Sequence, residues 1–293
     1  MIIIDGKKVA EEIREEIKKE IVVLKEKHGR VPGLVTIVAG NESSSHIYVR
    51  SKIKACEELG IYSEARFLDE NTPEDELLRI VDSYNEDLRF NGILVQLPLP
   101  KSIREEKVIN LIKPEKDVDG FHPVSVGRLV AGSDTFFPCT PAGIQELIKR
   151  YGIETEGKHL VVVGRSNIVG KPIANIMLQK KKFANCIVTV CHSAAKDLKE
   201  YTRSADILIA AIGVPGFITG NMVKDGVAII DVGINRVPDT SAKKGYRVVG
   251  DVDQASTAPK AAYFTPVPGG VGPMTIAMLM KNTLKSFLLS INN

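Results

Sequence analysis

The sequence predicts an α/β protein of two domains, each an open parallel sheet flanked by helices. Three observations carry that prediction. Apolar runs of strand length alternate with amphipathic stretches of helix length along most of the chain. The 293 residues favour two domains over one. A helix capped by Thr140, with Pro141 at its first position and Gly152 at its end, lies between two halves that show the same alternation, although no sequence repeat relates them.

In the first half, Lys8 to His28 carries Val9, Ile13, Ile17, Ile21 and Leu24 at helical spacing, with Gly29 as the stop. The run Leu34–Val38 reads as a buried strand, and a second helix follows from about Ser44 to Leu59. Tyr62–Leu68 is the next strand. Thr72 is expected to cap a helix, with Pro73 in its first turn and Asp75 three residues on, running to Tyr84. Gly92–Leu97 is a third strand, stopped by Pro98-Leu99-Pro100. Strands joined by helices of this length imply parallel pairing with right-handed crossovers. In the second half His159–Val163, Cys186–Val190, Ile207–Ala211 and Val227–Asp231 are strands, and a helix covers Pro172–Gln179. Gly272–Ile291 has helical periodicity and no strand after it, so it is expected to return to the first domain. The boundaries that follow are 1–139, completed by 272–293, and 140–271, with a cleft between the domains.

Composition narrows the function. The chain is 44% hydrophobic and 26% charged, with a net charge of +3 from well-mixed acids and bases. That balance gives no reason to expect nucleic acid or a membrane as a partner. The run Lys180–Lys182 reads as a solvated helix end. Met1–Ile4 is followed at once by Asp5, Lys7 and Lys8, so no secretory signal is expected. No run is long enough to span a bilayer. Cys56, Cys139, Cys186 and Cys191 form no C-x-x-C pair, so neither a disulfide framework nor a metal site is expected. Cys56, on a helix pattern, reads as a small core residue. The expected location is the cytoplasm.

The segment from His159 to Gly170 is a strand, a glycine turn and the start of a helix. Helix N-termini offer N–H groups and positive potential to a pyrophosphate. Ser166 stands where the usual G-x-G-x-x-G has its second glycine, and Gly170 comes late. Alone, the loop is equally a tight strand–helix turn. In context it predicts a Rossmann-type nucleotide site. The strand Cys186–Val190 ends in Cys191-His192-Ser193, without the acid that holds a ribose 2′-hydroxyl. Arg165, His192 and Ser193 suit a 2′-phosphate, so NADP is the expected cofactor.

A second group lies in the first half. Tyr48 and Lys52 are four apart on one helix face, with Ser45 a turn earlier. Gln96 ends the apolar run Ile93-Leu94-Val95, where a polar side chain needs a partner. Asp119-Gly120 follows in a polar loop. Ligands of open parallel sheets bind beyond the carboxyl ends of the strands, so Lys52 and Gln96 can converge. Tyr48 and Lys52 could equally be a helix edge, and Asp119 simply a turn. The Tyr/Lys pair of short-chain dehydrogenases is a poor match, because there the nucleotide loop precedes the pair.

Five strings in order carry a resemblance: Tyr48-Val49-Arg50-Ser51-Lys52, Val95-Gln96-Leu97-Pro98-Leu99-Pro100, Lys116-Asp117-Val118-Asp119-Gly120-Phe121, Gly164-Arg165-Ser166-Asn167-Ile168-Val169-Gly170, and Pro266 through Thr275. With them the chain resembles the bifunctional methylenetetrahydrofolate dehydrogenase/cyclohydrolase family, FolD, over essentially its whole length. Only the region Lys180–Phe183 looks longer than in relatives. The resemblance implies NADP-dependent oxidation of 5,10-methylenetetrahydrofolate to the methenyl form, hydrolysis of that product to 10-formyltetrahydrofolate, and a homodimer. It implies that Lys52 is the catalytic lysine and Gln96 its partner. Tyr48 would stack on the aminobenzoyl ring, and Asp119 would hold the pterin. Leu97, Pro98, Pro266, Gly269 and Gly270 would complete the substrate site. Gly164, Arg165, Ser166, Ile168, His192, Ser193, Gly213 and Ile234 would contact the cofactor.

These residue types suit that chemistry. Oxidation moves a hydride from the one-carbon bridge and leaves a cation, so it needs positioning more than acid–base work. Hydrolysis needs a proton shuttle, which a lysine provides only when part of its population is neutral. Gln96 can orient the amine without adding negative charge. Two other readings stand beside this one: another two-domain dehydrogenase of the shikimate or amino-acid type, and a nucleotide-binding regulator without turnover.

Overall fold

The computed structural model describes residues 1–40, 43–242 and 245–292, with side chains left out at 43–47 and 292. Ser45 therefore lies outside the described side chains. The first elements are β1 (Ile2–Ile3), α1 (Gly6–His28), β2 (Gly33–Ala39), α2 (Ser43–Leu59), β3 (Tyr62–Leu68), α3 (Glu74–Glu86), β4 (Gly92–Val95), α4 (Glu105–Leu111) and α5 (Pro123–Val130). There follow α6 (Cys139–Arg150), β5 (His159–Val163), α7 (Gly170–Leu178), β6 (Ile187–Cys191), α8 (Leu198–Ser204), β7 (Ile207–Ala210) and β8 (Val227–Asp231). The chain ends with β9 (Asn235–Pro238), β10 (Tyr246–Val249), α9 (Gln254–Thr257), β11 (Ala261–Phe264) and α10 (Val271–Asn292).

The chain divides into two compact units, one of Glu11–Cys139 with Ile276–Asn293, the other of Met1–Ala10 with Thr140–Thr275. The first is built on the parallel order β3-β2-β4. All seven residues of central β2 are buried, which is why its sequence is continuously apolar rather than alternating. Beside it Val35, Ile37, Leu77, Val81, Phe90, Ile93 and Val108 form one cluster, with Phe90 edge-on to Tyr84. The stripe Ile13, Ile17, Ile21 and Leu24 of α1 is buried as its spacing predicts.

The carboxyl-terminal part of α10, from Ile276 on, belongs to this unit. Asn282 donates from Nδ2 to the carbonyls of Val118 and Phe137, at 2.8 and 3.0 Å. Ser286 donates to the Asn91 and Glu115 carbonyls. Asn282→Ala should strand the Phe137 carbonyl and cost about 2 kcal/mol. The unfolding midpoint should fall by roughly 5 °C by circular dichroism; an unchanged midpoint would show that water replaces the amide.

The second unit holds a parallel sheet with the order β1-β11-β8-β7-β5-β6, six strands among the described residues. Strands β7 and β8 are wholly buried in its middle. Strand β1 pairs with β11, which brings the first ten residues into this unit, a placement that a division at residue 139 does not anticipate. Strands β9 and β10 form a separate antiparallel ribbon whose short, half-exposed halves carry little apolar signal.

Two expected caps differ from what forms. Pro73, extended at φ −61° and ψ 145°, takes the N-cap position of α3, and Thr72 closes the preceding turn on Asp69 instead. Thr140 lies inside α6, its hydroxyl 2.9 Å from that of Thr275 rather than on the helix end.

Candidate active site and nucleotide loop

Lys52 stands on the face of α2 turned into its unit and is 9% exposed. Gln96 follows the last residue of β4, its backbone N–H bonded to the Ile37 carbonyl of β2, so the sheet fixes where its side chain begins. The Lys52 ammonium donates to Gln96 Oε1 at 2.8 Å, and Gln96 Nε2 donates to the Leu97 carbonyl at 2.8 Å. The amide is therefore held by its nitrogen and presents its oxygen to the lysine. Leu97 is half-buried and joined by a cis peptide bond to the exposed Pro98.

Asp119 completes the group. Burial lowers the Lys52 pKa, while the Asp119 carboxylate is the largest influence raising it. Burial in turn raises the Asp119 carboxyl above the usual range, against the pull of Lys52. Asp119 Oδ1 accepts from the Cys139 thiol at 3.7 Å, and burial drives that thiol well above its ordinary value. Cys139 escaped the sequence reading because a lone cysteine at a helix start carries no pattern. Asp117 also escaped it. Its two oxygens accept from the Phe121 and His122 N–H groups, at 3.1 and 2.9 Å, and so shape the turn presenting Asp119 and Gly120. Burial raises the Asp117 pKa to about 6. Tyr48, one turn before Lys52, is 45% exposed. Its ring is available to a planar partner. Cys56 is core, as expected, its sulfur against Met280.

The glycine loop explains its own unusual spacing. Gly164 has φ +124°, and a Cβ there would fall on the Ala211 carbonyl oxygen. A Cβ on Gly170 would fall on the Gly164 carbonyl, so these two glycines pack backbone to backbone across the turn. Ser166 Oγ accepts from the N–H groups of Val169 and Gly170, at 3.1 and 3.3 Å, closing the loop onto the start of α7. Arg165 and Ile168 are exposed on the loop. Arg165 Nη1 lies 3.4 Å from His192 Nε2 at the end of β6, with exposed Ser193 next to it. The groups expected to receive a 2′-phosphate thus meet. A backbone cradle at a helix start beside an arginine fits a dinucleotide phosphate group.

The remaining candidates lie at the carboxyl ends of β7, β8 and β11. Gly213 follows β7. Ile234, which is 53% exposed, follows β8 and lines a cavity of about 140 Å³ with Pro266, Val267, Pro268, Gly269, Gly270 and Gly272. Pro266, Gly269 and Gly270, assigned to substrate, therefore share a wall with Ile234, assigned to cofactor.

Residues 4–119 match the catalytic domain of tetrahydrofolate dehydrogenase/cyclohydrolase, and residues 138–290 match the NAD(P)-binding domain of the same enzymes. The chain belongs to this family. The bifunctional protein FolD of Chlorobium luteolum is 59% identical over 289 residues, covering 98% of both chains. The crystal structure of the bifunctional FolD dehydrogenase/cyclohydrolase from Campylobacter jejuni superposes with a TM-score of 0.93, at 47% identity and 99% coverage of both chains. The Trypanosoma brucei enzyme, solved with NADP cofactor and an inhibitor, gives a TM-score of 0.93 at 41% identity, covering 100% of this chain and 99% of that one. The fold expectation, a two-domain α/β protein with parallel sheets, holds along the whole family match.

Proposed function

We propose that this enzyme oxidises 5,10-methylenetetrahydrofolate with NADP and hydrolyses the methenyl product to 10-formyltetrahydrofolate. The observation that carries the reading is the buried Lys52 amine, bonded to an uncharged amide and set beside Asp119, in a chain of the dehydrogenase/cyclohydrolase family. NADP, when bound, accepts the hydride of the oxidation. Gly164, Arg165, Ser166 and Ile168, with His192 and Ser193, would hold its phosphates, and Gly213 and Ile234 would flank the rest.

Lys52 does the proton work of hydrolysis. Its neutral amine takes a proton from the water that adds to the one-carbon bridge. The resulting ammonium returns a proton to the ring nitrogen as the carbon–nitrogen bond breaks, and the adduct's remaining hydroxyl proton leaves to solvent as the formyl C=O forms. Burial makes the neutral amine accessible, and the substrate's own cation adds to that effect. Gln96, neutral, aims the amine without adding a negative charge beside it. Asp119 accepts paired N–H donors from the pterin, and the exposed Tyr48 ring stacks on the aminobenzoyl group. The resemblance further supports a homodimer in the cytoplasm, for which sedimentation of the purified protein is the direct measurement.

The decisive experiment is absorbance of purified protein with methylenetetrahydrofolate and NADP. NADPH should accumulate with a transient methenyl product. Turnover of a carbonyl acid and none of the folate would return the chain to the other dehydrogenase class. The 2′-phosphate assignment has its own test. Arg165→Ala should cut kcat/KM for NADP about tenfold or more while leaving that for NAD nearly unchanged. Equal losses with both nucleotides would remove Arg165 from phosphate recognition.

A further inference from the structure

Two buried aspartates outside the lysine site remain without a role. Asp231 is the last residue of β8 and is 2% exposed; Asp251 follows the β9–β10 ribbon and is fully buried. Asp251 Oδ2 accepts from the backbone N–H groups of Ile212 and Gly213, at 2.6 and 2.9 Å, just after β7. Its Oδ1 accepts from Asn235 Nδ2 at 2.8 Å, the residue after Ile234. A single carboxylate thus ties the loop at the end of β7 to the loop at the end of β8. Asp231 holds that carboxylate in place. Its Oδ1 accepts from the Asp251 and Gly233 N–H groups, both at 2.9 Å, and its Oδ2 from Val252 at 3.0 Å.

The glycines around the pair fit this arrangement. A side chain at Gly233 would run into the Asp251 carboxylate, and one at Gly250 into that of Asp231. Backbone and carboxylate are packed as one piece. Each carboxylate takes three N–H bonds, which makes it a strong anchor, and polar groups are retained this deep only where such bonds compensate their burial.

We infer that Asp251, seated by Asp231, is the positioning residue of the cofactor site, setting the spacing of the Gly213 and Ile234 loops. The inference rests on the assignment of those loops to NADP. Ligands of parallel sheets lie beyond the carboxyl ends of the strands, where these two adjacent loops stand. Misplacing either by about 1 Å weakens the cofactor's hold on its reactive geometry. The residues assigned to hydrolysis, Lys52, Gln96 and Asp119, stand on neither loop.

That asymmetry supplies the test. In Asp251→Asn an N–H donor replaces one acceptor, so either the Ile212–Gly213 pair or Asn235 loses its bond. KM for NADP should rise about ten- to hundredfold, while hydrolysis of methenyltetrahydrofolate without NADP stays within about twofold. Asn235→Ala, which removes one bond and leaves the carboxylate, should give a smaller rise, about three- to tenfold, and stands in if Asp251→Asn does not fold. Equal losses of both activities in folded protein would mean a general structural role and overturn the inference. An unchanged KM for NADP in both variants would overturn it as well, while leaving the cofactor assignment intact. Wild-type protein that turns over no NADP would overturn both.

Discussion

Lys52→Met should abolish hydrolysis, lowering its kcat by about 10²–10⁴, while oxidation falls by less than about tenfold. Methionine keeps the length and much of the apolar stem but carries no proton. Only the step that moves a proton to and from water loses its agent; the hydride step loses some positioning. Lys52→Arg should fail in hydrolysis just as fully, because a guanidinium is never neutral in this pH range. Single-turnover assays of each half-reaction separate the effects. Equal, modest losses in the two activities would exclude Lys52 as the shuttle.

Asp119→Ala should raise the folate KM by about two orders of magnitude, the cost of two charge-assisted hydrogen bonds. An unchanged KM would reject Asp119 as the pterin's holder. The same residue has an electrostatic signature. Hydrolysis should rise with pH as Lys52 loses its proton, with the limb below the ordinary lysine value because burial dominates. Asp119 pulls the other way, raising the Lys52 pKa. Asp119→Asn removes that charge, so the limb should move to lower pH. A limb displaced to higher pH would show that the carboxylate does not act on the amine.

Much of the site was legible as chemistry out of place. Gln96 ends an apolar run, and a half-buried amide there needed a partner, which proved to be the Lys52 amine. The same reasoning would have flagged Asp231, which ends the equally apolar run Val227–Ile230, but no second polar residue stood at a recognisable spacing to receive it. Its partner, Asp251, is 20 residues on, beyond a ribbon with weak periodicity. Cys139 was invisible for a related reason: its neighbour Asp119 is 20 positions away, brought close by the turn that Asp117 holds. The caps failed differently. Thr72 and Thr140 carry the right chemistry, but a cap is worth only about 1 kcal/mol, too little to fix where a helix starts.

The alternation of strands and helices in each half, the buried character of β2, β7 and β8 and the glycine turn at Gly164 follow from local pattern, because periodicity and burial of short runs are properties of neighbouring residues. Tertiary structure alone decided that Ile2–Ile3 joins the second sheet, that α10 is anchored to Val118 and Phe137 through Asn282, and that one carboxylate ties two loops together. These depend on groups far apart in the chain whose bonds form only once the sheets have placed them. No local preference encodes such a distance.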